Sequence, residues 1–308
     1  MENRYAVLDI GSNTVRMVIY DLGADGRIVR VIGEKATLGL INFVDDGRMS
    51  ETGTRKLIET LEGFKAGADK VGCGHRVAFA TASLRGISNR QEVLDRVLEE
   101  TGVVIDVLSG EEEASLNFEG LGESFDLRDG IMIDMGGGST EVLRFEEGHI
   151  SELASLDFGC LKMHNQFVSR IMPTQRESER LRTFVRGQVS AQIWIARKTP
   201  VAYAIGGTAK AASKVYAAVY KVKRPNTLHL EQLIKLYKYL MAGKERAAMI
   251  LVEEVPDRLH TLMPGLCGLI EILKIAGAED VVISTCGLRE GYLMRYIERQ
   301  ARSQTATA

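Results

Sequence analysis

The chain has 308 residues, 45% apolar and 26% charged, an ordinary globular composition with enough length for two domains, each with its own core. Its 39 Lys and Arg against 41 Asp and Glu leave a net charge of -2, so nothing in the overall charge calls for nucleic acid or a membrane surface, and a polyanion would have to be met by a local cluster of cations. Cys73, Cys160, Cys267 and Cys286 form no CxxC pair and no ligand cluster with the five histidines, which argues against a zinc site or disulfide framework and for reduced thiols.

No run approaches the roughly 18 apolar residues that a membrane-spanning helix needs. The opening MENRYAVLDIG lacks a signal-peptide pattern, so a cytoplasmic protein without a membrane partner is expected. The polar end, QARSQTATA, is expected to fray.

The first elements read as three strands joined by tight turns. AVLDIGSNTVRMVIYDLGADGRIV starts at Ala6, with Asp9 closing an apolar run, Gly11 in a small polar turn and a Gly-containing turn after Asp25. RVAFATA (76–82) then reads as a strand, NRQEVLDRVLEETG (89–102) as a helix, VVIDVLS (103–109) as a strand and GEEEASLNFEGLGES as a helix. The order returns at Ile131. IMIDMGGGSTEVLRFEEGHI repeats the strands, with Asp134 in the place of Asp9, Gly136 in the place of Gly11 and a turn after Glu147. Trp194 falls in an apparent helix, VAYAIGG (201–207) is a strand, TAKAASKVYAAVY opens a helix, and a helical pattern covers 229–277. DVVISTC (280–286) reads as a strand and GLREGYLMRYIERQ as a closing helix. Two βββαβα halves make an α/β protein with mixed sheets flanked by helices. The junction is placed near FDLRDG (125–130), giving domains 1–127 and 128–308, with the last helix free to pack back on the first domain. Duplicated domains imply a ligand-binding cleft between them that can hinge.

Glycine admits positive φ, and successive outward N–H groups form a nest for an anion, phosphate above all. The first turn offers Gly11 with Ser12, Asn13 and Thr14, and the second offers Gly136, Gly137 and Gly138 with Ser139. IGGT (205–208) sets Gly207, Thr208 and a helix N-terminus toward the same cleft, where the dipole favours anions. One such turn alone is an ordinary hairpin; the duplicated pair, each after an aspartate, points to phosphate. Asp9 stands either as a metal-side acid or as a cap on its turn. Lys162, Lys210 and Lys214, near the glycine motifs, would extend a basic channel, whereas His164 and His260 read as packing or surface residues.

The duplicated pattern, with DIGSNT, DMGGGSTE and IGGTAKAA, resembles the actin, sugar kinase and Hsp70 superfold, whose domains are ribonuclease-H-like. One branch is closer. LDIGSNTVRMVI, ATASLR (80–85), LSGEEEASLNFEGL (108–121), IDMGGGSTEV, IGGTAKAA and GLREGYL (287–293) occur in the order seen in the exopolyphosphatase and guanosine pentaphosphate phosphatase family. The resemblance implies two actin-like domains and hydrolysis of terminal phosphate from inorganic polyphosphate or the 5′-phosphate of pppGpp, with a divalent metal, usually magnesium, manganese being another candidate. It implies that Glu113, in SGEEEA, is the catalytic base. It implies that Asp134 and Glu141 organise metal and water, that Gly136, Gly137, Gly138 and Ser139 grip phosphate, and that Arg16, Arg85 and Arg258 meet its charge. His260 replaces an acid of the family pattern in PDRLHTLMPG, and Cys286 stands before GLREG; both bear on substrate preference. Longer members add helical C-terminal domains that hold long chains, so on this reading the groove here is short. A homodimer is compatible with the resemblance.

The chemistry is consistent with the residues themselves. Phosphoanhydride hydrolysis needs phosphate charge neutralised and a water placed and deprotonated. Taken alone, the acids of EEEA simply suit the positive end of a helix, a role kept by Glu111 and Glu112. Inorganic polyphosphate needs no base pocket, and no aromatic stacking pair stands near the motifs, which favours it over a guanosine polyphosphate or nucleoside triphosphate. A sensor that binds without turnover would not need Glu113 and Glu141, and both are present.

Overall fold

The computed structural model describes residues 3–199 and 201–306. The chain divides into two compact units, Met1–Glu113 with Arg289–Ala308, and Ala114–Leu288.

The first unit is built on a five-stranded sheet. Strands β1 (Arg4–Ile10), β2 (Thr14–Leu22) and β3 (Ile28–Thr37) form an antiparallel meander. A short hairpin, β4 (Val44–Asp45) and β5 (Arg48–Met49), leads into helix α1 (Glu51–Lys70). Strand β6 (His75–Ala80), helices α2 (Ala82–Arg85) and α3 (Arg90–Thr101), strand β7 (Ile105–Val107) and helix α4 (Gly110–Gly122) follow. Strands β6 and β7 join in parallel, giving the order β3-β2-β1-β6-β7. Side chains alternate along the strands. Ala6, Leu8, Ile10, Val15, Met17 and Ile19 pack with Leu57, Ile58, Leu61, Phe64 and Ala68 of α1 in one core. The apolar positions of α1 recur at helical spacing, and the Ser50 side chain caps it by accepting from Gly53 N.

Asp9 and Arg16 therefore belong to the opposite face. That face is covered by the closing helix, whose segment from Arg289 belongs to this unit. Tyr20 donates to Glu290 Oε1, Tyr292 donates to Asp106 Oδ2, and the Tyr292 ring lies 4.7 Å from that of Phe79. Burial first, then the neighbouring carboxylates, pushes both phenol pKa values up, so both tyrosines act as neutral donors.

The second unit repeats the plan with additions. Strands β8 (Gly130–Met135), β9 (Thr140–Glu146) and β10 (His149–Leu156) form the meander. Helices α5 (Cys160–Phe167) and α6 (Gln175–Ser190) precede strand β11 (Val201–Ile205) and helix α7 (Gly206–Tyr220). Strand β12 (Thr227–His229), helices α8 (Leu230–Met241), α9 (Glu245–Glu254) and α10 (Leu262–Ala276), strand β13 (Asp280–Ile283) and helix α11 (Leu288–Ala306) complete the chain. The sheet order is β10-β9-β8-β11-β13-β12. Helix α10 is buried almost all round, as its near-continuous apolar sequence requires, and it packs on α5, α6, α7 and α8. No helix among the described residues is long and apolar enough to cross a membrane.

Several expectations need correction. The contact boundary falls at Glu113/Ala114, inside α4, rather than at 127/128. The reason is that α4 is one continuous helix whose later turns, at Ala114 and Leu121, already pack on Met132, Leu143 and Phe145 of the second sheet. The helical pattern of 229–277 is three helices, broken at Gly243 with φ +63° and again at Pro256. Residues 227–229 add an antiparallel edge strand, too short to show a period of its own. Trp194 lies in a single 3₁₀ turn, Ile193–Ala196.

Candidate active site

In each unit the first β-turn closes in the same way. Gly11 N donates to Thr14 O at 3.2 Å, and Gly136 N donates to Ser139 O at 3.0 Å. None of Gly11, Gly136, Gly137 and Gly138 has positive φ. The nest expected from left-handed glycines is thus not what these turns build, because the leading N–H of each is already spent on the turn. Close approach is what Gly11 and Gly159 serve. A Cβ on Gly11 would stand 3.0 Å from Thr14 O, and one on Gly159 would stand 2.5 Å from the carbonyl carbon of Gly137. The carbonyls of Gly136 and Gly137 accept from Cys160 N, Leu161 N and Lys162 N, so the second turn caps the start of α5.

In the first unit, Ser12 O and Asn13 O accept from Ile41 N and Gly39 N, which pins the turn between two loops. Ser12, Asn13 and the start of β2 at Thr14 are thereby held at the end of β1, and both Ser12 and Asn13 are buried. Register places Asp9, Arg16 and Lys35 side by side on β1, β2 and β3. Asp9 Oδ2 accepts from Arg289 Nη1 at 2.7 Å. Burial opposes the Arg289 charge, but Asp9, Glu290 and Tyr20 outweigh it and hold its pKa above the ordinary value. An Asp9 whose charge is matched by a buried guanidinium is poorly suited to the metal-side role expected of it.

Arg85 ends α2 and Glu113 stands in the first turn of α4. Arg85 Nη1 donates to Leu108 O at 3.1 Å and to Glu113 Oε2 at 3.0 Å, and Glu113 is only 6% exposed. The neighbouring acid has a different task. Glu112 Oε2 accepts from Ser109 N while Ser109 Oγ accepts from Glu112 N, a capping box that fixes where α4 starts. Of the three acids, Glu113 is the one turned inward.

The second unit carries the corresponding row Asp134, Glu141 and Ser155 across β8, β9 and β10. The duplication has changed its sign, since the positions of Arg16 and Lys35 are filled by Glu141 and Ser155. Asp134 Oδ2 accepts from Asn117 Nδ2 at 2.9 Å and Glu141 Oε1 accepts from Ser155 Oγ at 2.8 Å. Gly206 opens α7 with φ +82°, and a Cβ there would lie 2.4 Å from Asp134 Oδ1. A Cβ on Gly207 would lie 1.7 Å from Arg258 Nη2, so Arg258 is drawn across the bare start of the helix. Thr208 is buried and donates to Met135 O at 3.4 Å; it ties α7 to β8 rather than pointing a hydroxyl at a ligand.

The structure groups Asp9, Gly11, Ser12, Asn13, Thr14 and Arg16 around one turn, and Arg85 with Glu113. It groups Asp134, Gly136, Gly137, Gly138, Ser139, Glu141, Gly207, Thr208 and Arg258 within the second unit. The lysine channel does not form. Lys162 pairs with Asp157, Lys214 with Glu254, and Lys210 donates to Thr285 O. His164 and His260 pack on each other at 5.3 Å, and burial, then His164 and Arg258, lowers the His260 pKa. Arg289, Asn117 and Gly206 were missed. Arg289 lies inside GLREG and Asn117 stands one helical turn after Glu113, so motif and i,i+4 spacing held both signals.

Two mixed sheets in duplicated order, each opening on an Asp-x-Gly hairpin, define a pair of actin-like α/β domains. Residues 18–300 match the Ppx/GppA phosphatase family, and the chain belongs to that family. Exopolyphosphatase 1 of Mycobacterium tuberculosis is 29% identical over 97% of this chain and 89% of its own length. The crystal structure of the Aquifex aeolicus member of the Ppx/GppA family is 26% identical, covers 96% of this chain and 98% of that one, and superposes with a TM-score of 0.77. An exopolyphosphatase from Cytophaga hutchinsonii shares the fold at a TM-score of 0.85, with 22% identity over 96% of this chain and 98% of that one.

Proposed function

We propose that this phosphatase releases terminal phosphate from inorganic polyphosphate, with Glu113 as the general base for water. The observation that carries the reading is Glu113 itself, a buried carboxylate held by Arg85 and set apart from the capping acid beside it. Arg16, Arg85 and Arg258 are the cations that meet phosphate charge, and family membership supplies the reaction class. A carboxylate at this place accepts the proton of water while arginines offset the charge that develops on the phosphoryl oxygens.

Asp134 and Glu141 fit a divalent cation. They are direct cross-strand neighbours and both buried; Asp134 accepts a hydrogen bond from Asn117 and Glu141 accepts one from Ser155. Two carboxylates with phosphate oxygens make the all-oxygen set that magnesium takes. Among the described residues no cluster of three or more His, Cys, Asp or Glu is poised to bind metal, so substrate oxygens and water would complete the set. When bound, magnesium would polarise the phosphoryl group and screen its charge.

The reading is tested by phosphate release from polyphosphate, pppGpp and ATP, each with and without magnesium. Polyphosphate is expected to be turned over fastest; release from pppGpp alone would replace this substrate with a guanosine polyphosphate. A further outcome concerns the start of α7. Gly207→Ala should push the Arg258 guanidinium aside, as its end is the flexible part. Thermal stability should change by no more than ~1 kcal/mol, because Ala favours helix over Gly. The KM for polyphosphate should rise about tenfold, as for loss of one charged hydrogen bond. An unchanged KM in both Gly207→Ala and Arg258→Ala would remove Arg258 from the phosphate grip.

A further inference from the structure

A cavity of about 430 Å³ opens on the first unit beside Arg85. Its wall is Gly47, Arg85, Gly86, Ile87, Ser88, Arg90 and Gln91, with two arginines and no acid. The wall is built before any ligand arrives. Ser88 N and Oγ both donate to Gly47 O, at 2.8 and 3.1 Å, and the buried Asn89 side chain exchanges two hydrogen bonds with the backbone of Met49. The β4–β5 hairpin is thereby locked to the α2–α3 loop.

The charges around the cavity are sorted. Arg48 pairs with Glu92, and Arg96 pairs with Glu51 and Glu100. Gln91 is turned to Asp95. Arg90 makes no ion pair among the described residues and is exposed. It is also the first residue of α3, where the helix dipole disfavours a cation. A lone arginine in an electrostatically poor position, facing a cavity shared with a phosphate-binding arginine, is explained by an anion. A cavity of the second unit makes the contrast: it is lined by Glu119, Glu123 and Asp126 and would repel a polyanion.

We propose that this cavity is a subsite for the phosphates that follow the one released, with Arg90 as its outer cation. The inference rests on the polyphosphate reading above and adds where the chain leaves Arg85. Arg90 lies outside the catalytic machinery and is exposed. The substrate class it selects is an extended chain of phosphates rather than a compact di- or triphosphate.

The test compares tripolyphosphate with long-chain polyphosphate in the wild type, Arg90→Ala, Arg90→Lys and Arg90→Glu, after thermal melts show unchanged folding. For Arg90→Ala, KM for the long chain should rise about tenfold, the loss expected for one charged hydrogen bond. The kcat, and the KM for tripolyphosphate, should stay within about twofold. Arg90→Lys should recover part of the loss as a point charge, and Arg90→Glu should exceed Arg90→Ala. Equal effects on short and long chains, or none on either, would overturn the subsite while leaving the hydrolase reading intact. A wild type that releases no phosphate from polyphosphate would sink both, and that outcome is visible before any variant is made.

Discussion

Glu113→Gln should leave substrate binding in place and lower phosphate release by about 10²–10⁴-fold, the usual contribution of a general base. The amide has the shape of the carboxylate, and its oxygen can still accept from Arg85 Nη1, now 3.0 Å from Glu113 Oε2. What is lost is the ability to take a proton from water. Single-turnover release measures the chemical step, and equilibrium binding of polyphosphate shows whether the site survives. Glu112→Ala is the matched control. It removes the half of the capping box that Glu112 Oε2 makes with Ser109 N, leaves Ser109 as the N-cap, and should cost no more than about 1 kcal/mol of stability with the rate per folded molecule unchanged. A Glu113→Gln enzyme that retains near-full single-turnover rate would remove Glu113 as the base, and a Glu112→Ala enzyme with the larger rate loss would exchange the two roles.

The two acids show what a sequence can and cannot reveal. In GEEEASLNF the three glutamates are equivalent by composition, and only the fold turns one inward and another back onto Ser109. The duplication was legible because Asp-x-Gly followed by a polar turn recurs with the same strand pattern, and both units do open on that turn. The φ values of those glycines were not legible. A glycine can serve positive φ or close approach, and the choice depends on what crosses it; at Gly159 that is the backbone of Gly137, twenty-two residues earlier in sequence. The pairing of Asp9 with Arg289 joins residues 280 apart, and no local pattern contains it. The same holds for Asn117 and Asp134, where helical spacing marked the right face of α4 but not its partner. Helices α8, α9 and α10 merged into one pattern because their apolar faces run on across Gly243 and Pro256, and only those two breakers carried the boundaries.

Removal of divalent metal should reduce phosphate release to background, and magnesium should restore it. Asp134 and Glu141 stand directly opposite on β8 and β9, where like charges destabilise a strand pair. Phosphate oxygens brought to them would add further repulsion, which a divalent cation, on the proposed reading, would offset. The arrangement also says which residue beyond the acids matters. Asn117 Nδ2 holds Asp134 Oδ2 at 2.9 Å, and the Asn117 side chain is fully buried. A group that orients a metal ligand in this way is typically worth about 10–100-fold in metal affinity. Asn117→Ala should therefore raise the magnesium concentration for half-maximal rate by that factor, with kcat at saturating magnesium little changed. Asp134→Asn should do more, since it removes a charge from the donor set itself. Calorimetric titration of magnesium into Glu113→Gln bound to polyphosphate gives a readout independent of turnover, and adding Asn117→Ala to that protein should weaken the measured affinity in the same proportion. Full activity in chelator, with no metal found by elemental analysis, would leave the acids to orient water alone.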